Sequence, residues 1–184
     1  MLSRPNAPRI LGTTPRRGAV AALTASLVGL TAAGAAWAAS PASAHAASAG
    51  ARTCAASDLY LSMGHKEGAA GSLYWSIDFT NTSTTKCAVR GYPGVSVVDT
   101  AHHQIGAAAK HSGSSYGTVT LAPGHSASSV VRTTNGPVGG PCLSTGAYLR
   151  VYAPASHTAV LVPASWKTCS GLFQVGPVNT DGSI

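Results

Sequence analysis

The 184 residues carry 12 Lys and Arg against five Asp and Glu, a formal net charge of +7 with histidine neutral. Four of those bases, Arg4, Arg9, Arg16 and Arg17, open the chain, and without them the balance falls to +3. The others (Arg52, Lys66, Lys86, Arg90, Lys110, Arg132, Arg150 and Lys167) stand singly rather than in the clustered stripe that nucleic acid requires, so nucleic-acid binding is set aside.

Residues 1–46 have the order of an export signal: a basic start, an apolar Ala- and Gly-rich run from Gly18 to Ala39, then small-x-small sites. Ala42-Ser43-Ala44 and Ala44-His45-Ala46 both suit signal peptidase, and removal after Ala46 leaves one domain over residues 47–184. An uncleaved anchor is the alternative, since about 20 apolar residues can span a bilayer. Alanine and glycine are only weakly apolar, and the cleavage sites favour removal and a secreted product with no membrane attachment. Arg16-Arg17 leaves general and twin-arginine export both open, with Pro15 and the missing Phe-Leu counting against the second. Cys54 follows Ala51-Arg52-Thr53, which is not a lipobox.

Strands dominate the chain beyond the leader. Leu59, Leu61 and Met63 alternate with polar neighbours, as do Leu73, Trp75, Ile77 and Phe79, predicting a hairpin closed by the glycine-containing loop 64–71. Asn81 to Lys86 is a polar turn, and Tyr92-Pro93-Gly94-Val95 has type II turn chemistry with Gly94 at the position needing positive φ. Val95 to Asp99 is the next strand, His102-His103-Gln104 a turn, Ile105 to Lys110 a short strand, and His111 to Tyr116 a loop. Thr118–Leu121 and Ser126–Arg132 are joined by a second type II candidate, Ala122-Pro123-Gly124-His125. After a Gly/Pro loop at 133–141, strands are predicted at 147–152, 158–162 and 172–178, with 179–184 fraying. No segment of helical length has a 3.6-residue period. About eight short strands with turns every 8–12 residues predict an all-β, antiparallel, immunoglobulin-like β-sandwich.

Four cysteines, Cys54, Cys87, Cys142 and Cys169, all lie beyond the leader without a C-x-x-C pair, which argues for two disulfides and against zinc or thioredoxin chemistry. A hairpin turning at Ala155-Ser156 faces residues whose numbers sum to 311, Cys142 and Cys169 among them. The first hairpin sets Cys54 opposite roughly Asn81, from which Cys87 curls back across the polar turn. Cys54–Cys87 and Cys142–Cys169 are therefore expected, each worth roughly 3–4 kcal/mol in the chain-entropy model.

Chemistry is sparse. Gly124-His125-Ser126-Ala127-Ser128 lacks the second glycine of a nucleophile elbow and sits in a hairpin turn. The acids Asp58, Glu67, Asp78, Asp99 and Asp181 form no evident glycosidase pair. His65, His102, His103, His111, His125 and His157 all fall in predicted loops or turns without H-x-H or H-x₃-H spacing, a pattern more often solvated than metal-binding. With disulfides using the thiols, a blue-copper site has no cysteine, and no cofactor or metal is expected. Tyr148, Arg150 and Tyr152 share the face opposite Leu149 and Val151, a ridge able to stack on sugar or peptide, or simply to pack across strands. Asn81-Thr82-Ser83 fits the N-glycosylation pattern, which matters only in a eukaryotic secretory pathway.

The run Thr80-Asn81-Thr82-Ser83, then Cys87, Gly91-Tyr92-Pro93-Gly94-Val95 and Asp99, resembles the signature of the domain of unknown function 4232 family. Cys54, Gly68 to Gly71 before Trp75, Leu121 to Gly124, and Cys142, Leu149-Arg150-Val151 and Cys169 extend the resemblance over nearly all of 47–184. It implies an exported domain of high-GC Gram-positive bacteria, implies no activity and offers no catalytic residues. The expected protein is a secreted monomer that binds a protein or glycan of the cell envelope without catalysis. A hydrolase with a loop-built site and a histidine-loop metal binder are the rivals.

Overall fold

The structure is a computed structural model that describes residues 50–113 and 116–183, so the expected leader at 1–46 lies outside the described residues. A single 3₁₀ turn at Ala56–Asp58 precedes β1 (Leu59–Ala69), β2 (Ser72–Asn81), β3 (Cys87–Arg90), β4 (Gly94–Val98) and β5 (Lys110–His111). Beyond these lie β6 (Thr118–Leu121), β7 (Ser126–Thr134), β8 (Tyr148–Tyr152), β9 (Ala159–Pro163) and β10 (Gln174–Val175). They form a five-stranded sheet in the order β1-β2-β7-β10-β5, a three-stranded sheet β4-β8-β9 and a β3-β6 pair. All named pairings are antiparallel except β10 with β5. The all-β sandwich is as predicted, with ten strands among the described residues in place of about eight.

Alternation sets its two layers. From the large sheet Leu59, Leu61, Ile77, Phe79, Ala127, Val131 and Val175 point inward; from the three-stranded sheet Val95, Val97, Leu149, Val151 and Val162 meet them in one buried cluster. Burying each of the larger aliphatic side chains favours folding by about 1.5–3 kcal/mol. Trp166, 1% exposed, is the largest fully buried side chain and comes from the irregular run after β9, to which the sequence assigns no element. Its indole Nε1 donates to Thr168 Oγ at 3.2 Å, which satisfies the one polar atom it brings inside.

Several local expectations change. The segment predicted as loop 64–71 is mostly strand: β1 continues to Ala69, and the hairpin closes on Ala70-Gly71, both at positive φ (47° and 74°) as a tight two-residue turn requires. A bulge between Met63 and Lys66 absorbs the extra residue. Its glycine is necessary, because a Cβ on Gly64 would collide with the side chains of Asp78 and Ser76. Gly94 is the first residue of β4, and the positive φ falls instead on Gly91 (107°). The Ala122–His125 turn forms as predicted, with Gly124 at φ 77° and the His125 N–H on the Ala122 carbonyl at 3.0 Å.

β3 follows directly on the polar turn Asn81 to Lys86, hidden because Cys87, Ala88 and Val89 are all buried and show no alternation. The predicted strand at 105–110 contracts to Lys110–His111, while Ile105 and Ala109 donate to β4 through Val97 and Val95 carbonyls. His65 and His111 consequently sit in strands rather than loops. Both disulfides form as predicted, Cys54–Cys87 and Cys142–Cys169. The β8–β9 register pairs Leu149 with Val162 and Tyr148 with Pro163, and the same register reaches the Cys142–Cys169 bridge.

Candidate binding pocket

The predicted ridge is present as a face. Tyr148, Arg150 and Tyr152 project from β8, the middle strand of its sheet, opposite the fully buried Leu149 and Val151. Its groups already have partners within the chain. Arg150 Nη2 donates to the His102 carbonyl at 2.6 Å, and the His102 ring stands edge-on to Tyr148 at 5.6 Å. Tyr152 lies against Gly94, whose Cβ position would be 3.5 Å from it. The turn carrying His102 (φ 64°) is held by Asp99, whose Oδ1 accepts the N–H groups of Ala101 (2.9 Å) and His103 (2.8 Å). The ridge is flat.

A concave pocket of about 620 Å³ lies on the outer face of the five-stranded sheet, within the range of small-molecule sites. Strand register assembles it. Glu67 faces Tyr74 across β1–β2, while Ser76 faces Val130 and Asp78 faces Ser128 across β2–β7; each of these pairs lines the pocket. The bulge brings His65 to the rim, its Nε2 3.6 Å from Glu67 Oε2. Ser76 Oγ donates to Asp78 Oδ1 at 3.2 Å. Val130, although on the outer face, is only 6% exposed and gives the floor an apolar spot.

The remaining wall is Thr180–Ser183. The expectation that 179–184 frays is overturned across its described residues. Asn179 exchanges backbone bonds with Ser128 at 2.9 Å each way, its Oδ1 accepts the Gly182 N–H at 2.8 Å, and its Nδ2 donates to the Ser183 carbonyl at 2.9 Å. A short asparagine side chain bonding to the backbone just ahead of it is an ordinary way to fold such a segment back.

Three of the five acids, Glu67, Asp78 and Asp181, thus converge on one concavity that no lysine or arginine lines among the described residues. Asp58 is ion-paired to Arg52, whose guanidinium hydrogen bonds and the Ala55 N–H hold its carboxyl below the usual range. Arg132, in register with Tyr74, lies 5.5 Å from that ring and donates Nε to Ser72 Oγ at 3.1 Å.

The pocket escaped the sequence for two reasons. Treating 64–71 as loop removed the register that sets Glu67 opposite Tyr74, and treating the tail as frayed removed a wall. The hydroxyl-rich alternation of Ser76, Asp78, Ser126 and Ser128 was the signal available. Ser126, the elbow candidate, shares a 2.8 Å hydrogen bond with Thr80 and does not line the pocket. Among the described residues, no three His, Cys, Asp or Glu side chains are grouped so as to hold a metal ion, and no helix is long and apolar enough to cross a membrane. Asn81 of the glycosylation pattern is wholly buried, its Nδ2 donating to Thr85 (2.9 Å) and Leu121 (3.0 Å) carbonyls, so the folded domain cannot present it.

Comparison with curated proteins gives no match. A crystal structure of selenomethionine-labelled β-glucosidase from Kluyveromyces marxianus matches at 14% identity and TM-score 0.33, over 64% of this chain and 14% of that one. The chain therefore spans about one seventh of that protein, and a likeness at that score carries no argument. The family model of a domain of unknown function (DUF4232) matches residues 54–179, from the first disulfide cysteine to the asparagine that folds the tail back, and the chain belongs to that family.

Proposed function

We propose that the chain is an exported, non-catalytic binding domain of the cell envelope, acting as a monomer, and that its ligand is a glycan taken into the pocket on the five-stranded sheet. Two disulfides suit an oxidising compartment, and the basic, apolar, Ala-rich N-terminus suits export. The observation that carries the reading is the lining itself. Tyr74 and Val130 supply apolar surface for the C–H face of a sugar ring; Ser76, Ser128, Thr180 and three carboxylates supply hydrogen bonds to its hydroxyls.

The test is capture of polysaccharide from the host's own cell-wall fraction by the purified protein, with Tyr74→Ala alongside. Retention of a polysaccharide, reduced about fivefold or more by the variant, is expected from the loss of one aromatic face. No enrichment, or retention indifferent to Tyr74→Ala, sinks the proposal.

A hydrolase is the second reading, favoured by the His65–Glu67 pair and Ser128 lining one pocket. An activated serine needs its base within hydrogen-bond reach, and no hydrogen bond joins His65 to Ser128 among the described residues. On the binding reading a retained glycan is recovered at its original chain length; shortening that stops with Ser128→Ala would favour the enzyme.

A further inference from the structure

The geometry points to a narrower ligand class for this pocket: a saccharide carrying a free, protonated amine, selected by Asp181 on a strap that Asn179 holds in place. The inference rests on the glycan reading above and adds charge and position to it. The domain beyond the leader is net basic, yet the carboxylates of Glu67, Asp78 and Asp181 gather around one cavity. Ser76 satisfies one oxygen of Asp78, His65 stands beside Glu67, and Ser183 Oγ donates to Asp181 Oδ2 at 3.3 Å. Those contacts are single and leave further acceptor positions on each carboxylate, which can take two bonds per oxygen. Arg132, the cation nearest in register, is engaged with Tyr74 and Ser72. A uronate or phosphorylated sugar would meet three like charges here, whereas an ammonium would meet charge-assisted acceptors.

Position singles out Asp181. Glu67 and Asp78 are fixed on strands, but Asp181 reaches the cavity only because the strap folds back. The last core residue is Val178, 1% exposed, and Thr180–Ser183 are all exposed beyond it. The fold-back is carried by Asn179, through its side-chain bonds to Gly182 and Ser183 and its backbone pair with Ser128. Asn179 is thus a positioning residue and Asp181 the selecting one.

The measurement is calorimetric titration of the purified protein with a glucosamine tetramer, its fully N-acetylated counterpart, and tetralysine. The amine-bearing tetramer should bind about tenfold more tightly than the acetylated one, the scale of one charge-assisted hydrogen bond. Asp181→Asn should remove most of that preference, lowering affinity for the glucosamine tetramer by about tenfold and for the acetylated tetramer by far less. Asn179→Ala should do the same, with unfolding midpoints of both variants close to the parent's. Equal affinity for the two tetramers, or Asp181→Asn weakening both alike, overturns the amine assignment and leaves the glycan reading standing. Tetralysine binding as tightly as the glucosamine tetramer also overturns it, since charge alone would then be read. Binding of neither tetramer, together with no polysaccharide retained from the wall fraction, overturns both.

Discussion

Asn81 shows how much a single buried amide can organise. Its Nδ2 bonds two carbonyls, one in its own turn and one at the end of β6, while its Oδ1 accepts the Ser83 N–H at 3.0 Å. Removing it strands buried acceptors as well as opening space, and an unsatisfied buried group costs about 1–3 kcal/mol. Asn81→Ala should therefore lower stability by roughly 2–5 kcal/mol, read as a lower urea midpoint at unchanged slope. Asp99 is the second case, with a pH signature. The His103 N–H first, then the Ala101 N–H and the neighbouring imidazoles, hold its carboxyl below the ordinary value of 3.8. A carboxyl depressed in the folded state contributes stability above its unfolded pKa and loses it as pH falls through the folded one. Asp99→Asn should thus narrow its stability difference from the parent progressively below pH 3.8, and a difference independent of pH from 7 to 2 would contradict this.

At the scale of elements, the β1–β2 hairpin links fold to site. Its regular half, Leu59–Met63 against Ile77–Asn81, was legible because one face is buried and alternation follows. Its distal half was not, because His65 to Ala69 is exposed and no buried face marks its period. The bulge there is specified by contact, since Gly64 leaves room for Asp78 and Ser76. Gly64→Ala should push those side chains out of place at a small stability change, about 1 kcal/mol or less, because strand preference offsets part of the crowding. Glycan retention should fall nonetheless, and a variant retaining glycan as well as the parent would disconnect bulge from pocket. The β8–β9 hairpin behaves differently. Its register followed from the turn position alone, and Cys142–Cys169 extends that register beyond the ladder. Replacing both cysteines with serine should cost about 3 kcal/mol, as expected for its separation of 27 residues. The loss should appear as a lower melting temperature with the pocket residues untouched.

For the whole molecule, the core and the pocket occupy opposite faces of the same sheet, so strand alternation separates them residue by residue. Ile77, Phe79 and Val131 build the interior, while Ser76, Asp78 and Val130, one position away, face the cavity. The interior half of that pattern was readable because hydrophobicity reports burial. The pocket half was not, because a serine facing solvent and a serine facing a cavity look identical in one dimension. The strap makes the same separation along the chain: structure that burial requires ends at Val178, and structure that only the pocket uses begins after Asn179. Truncation after Asn179 should accordingly keep the Ser128 backbone pair and shift stability by no more than about 0.5 kcal/mol, the usual scale for changes at an exposed surface. The same truncation removes Thr180 and Asp181 from the lining and should reduce glycan retention at least as far as Asp181→Asn does. Stability and retention falling together would mean that the tail braces the sandwich; retention falling alone places it in the binding surface.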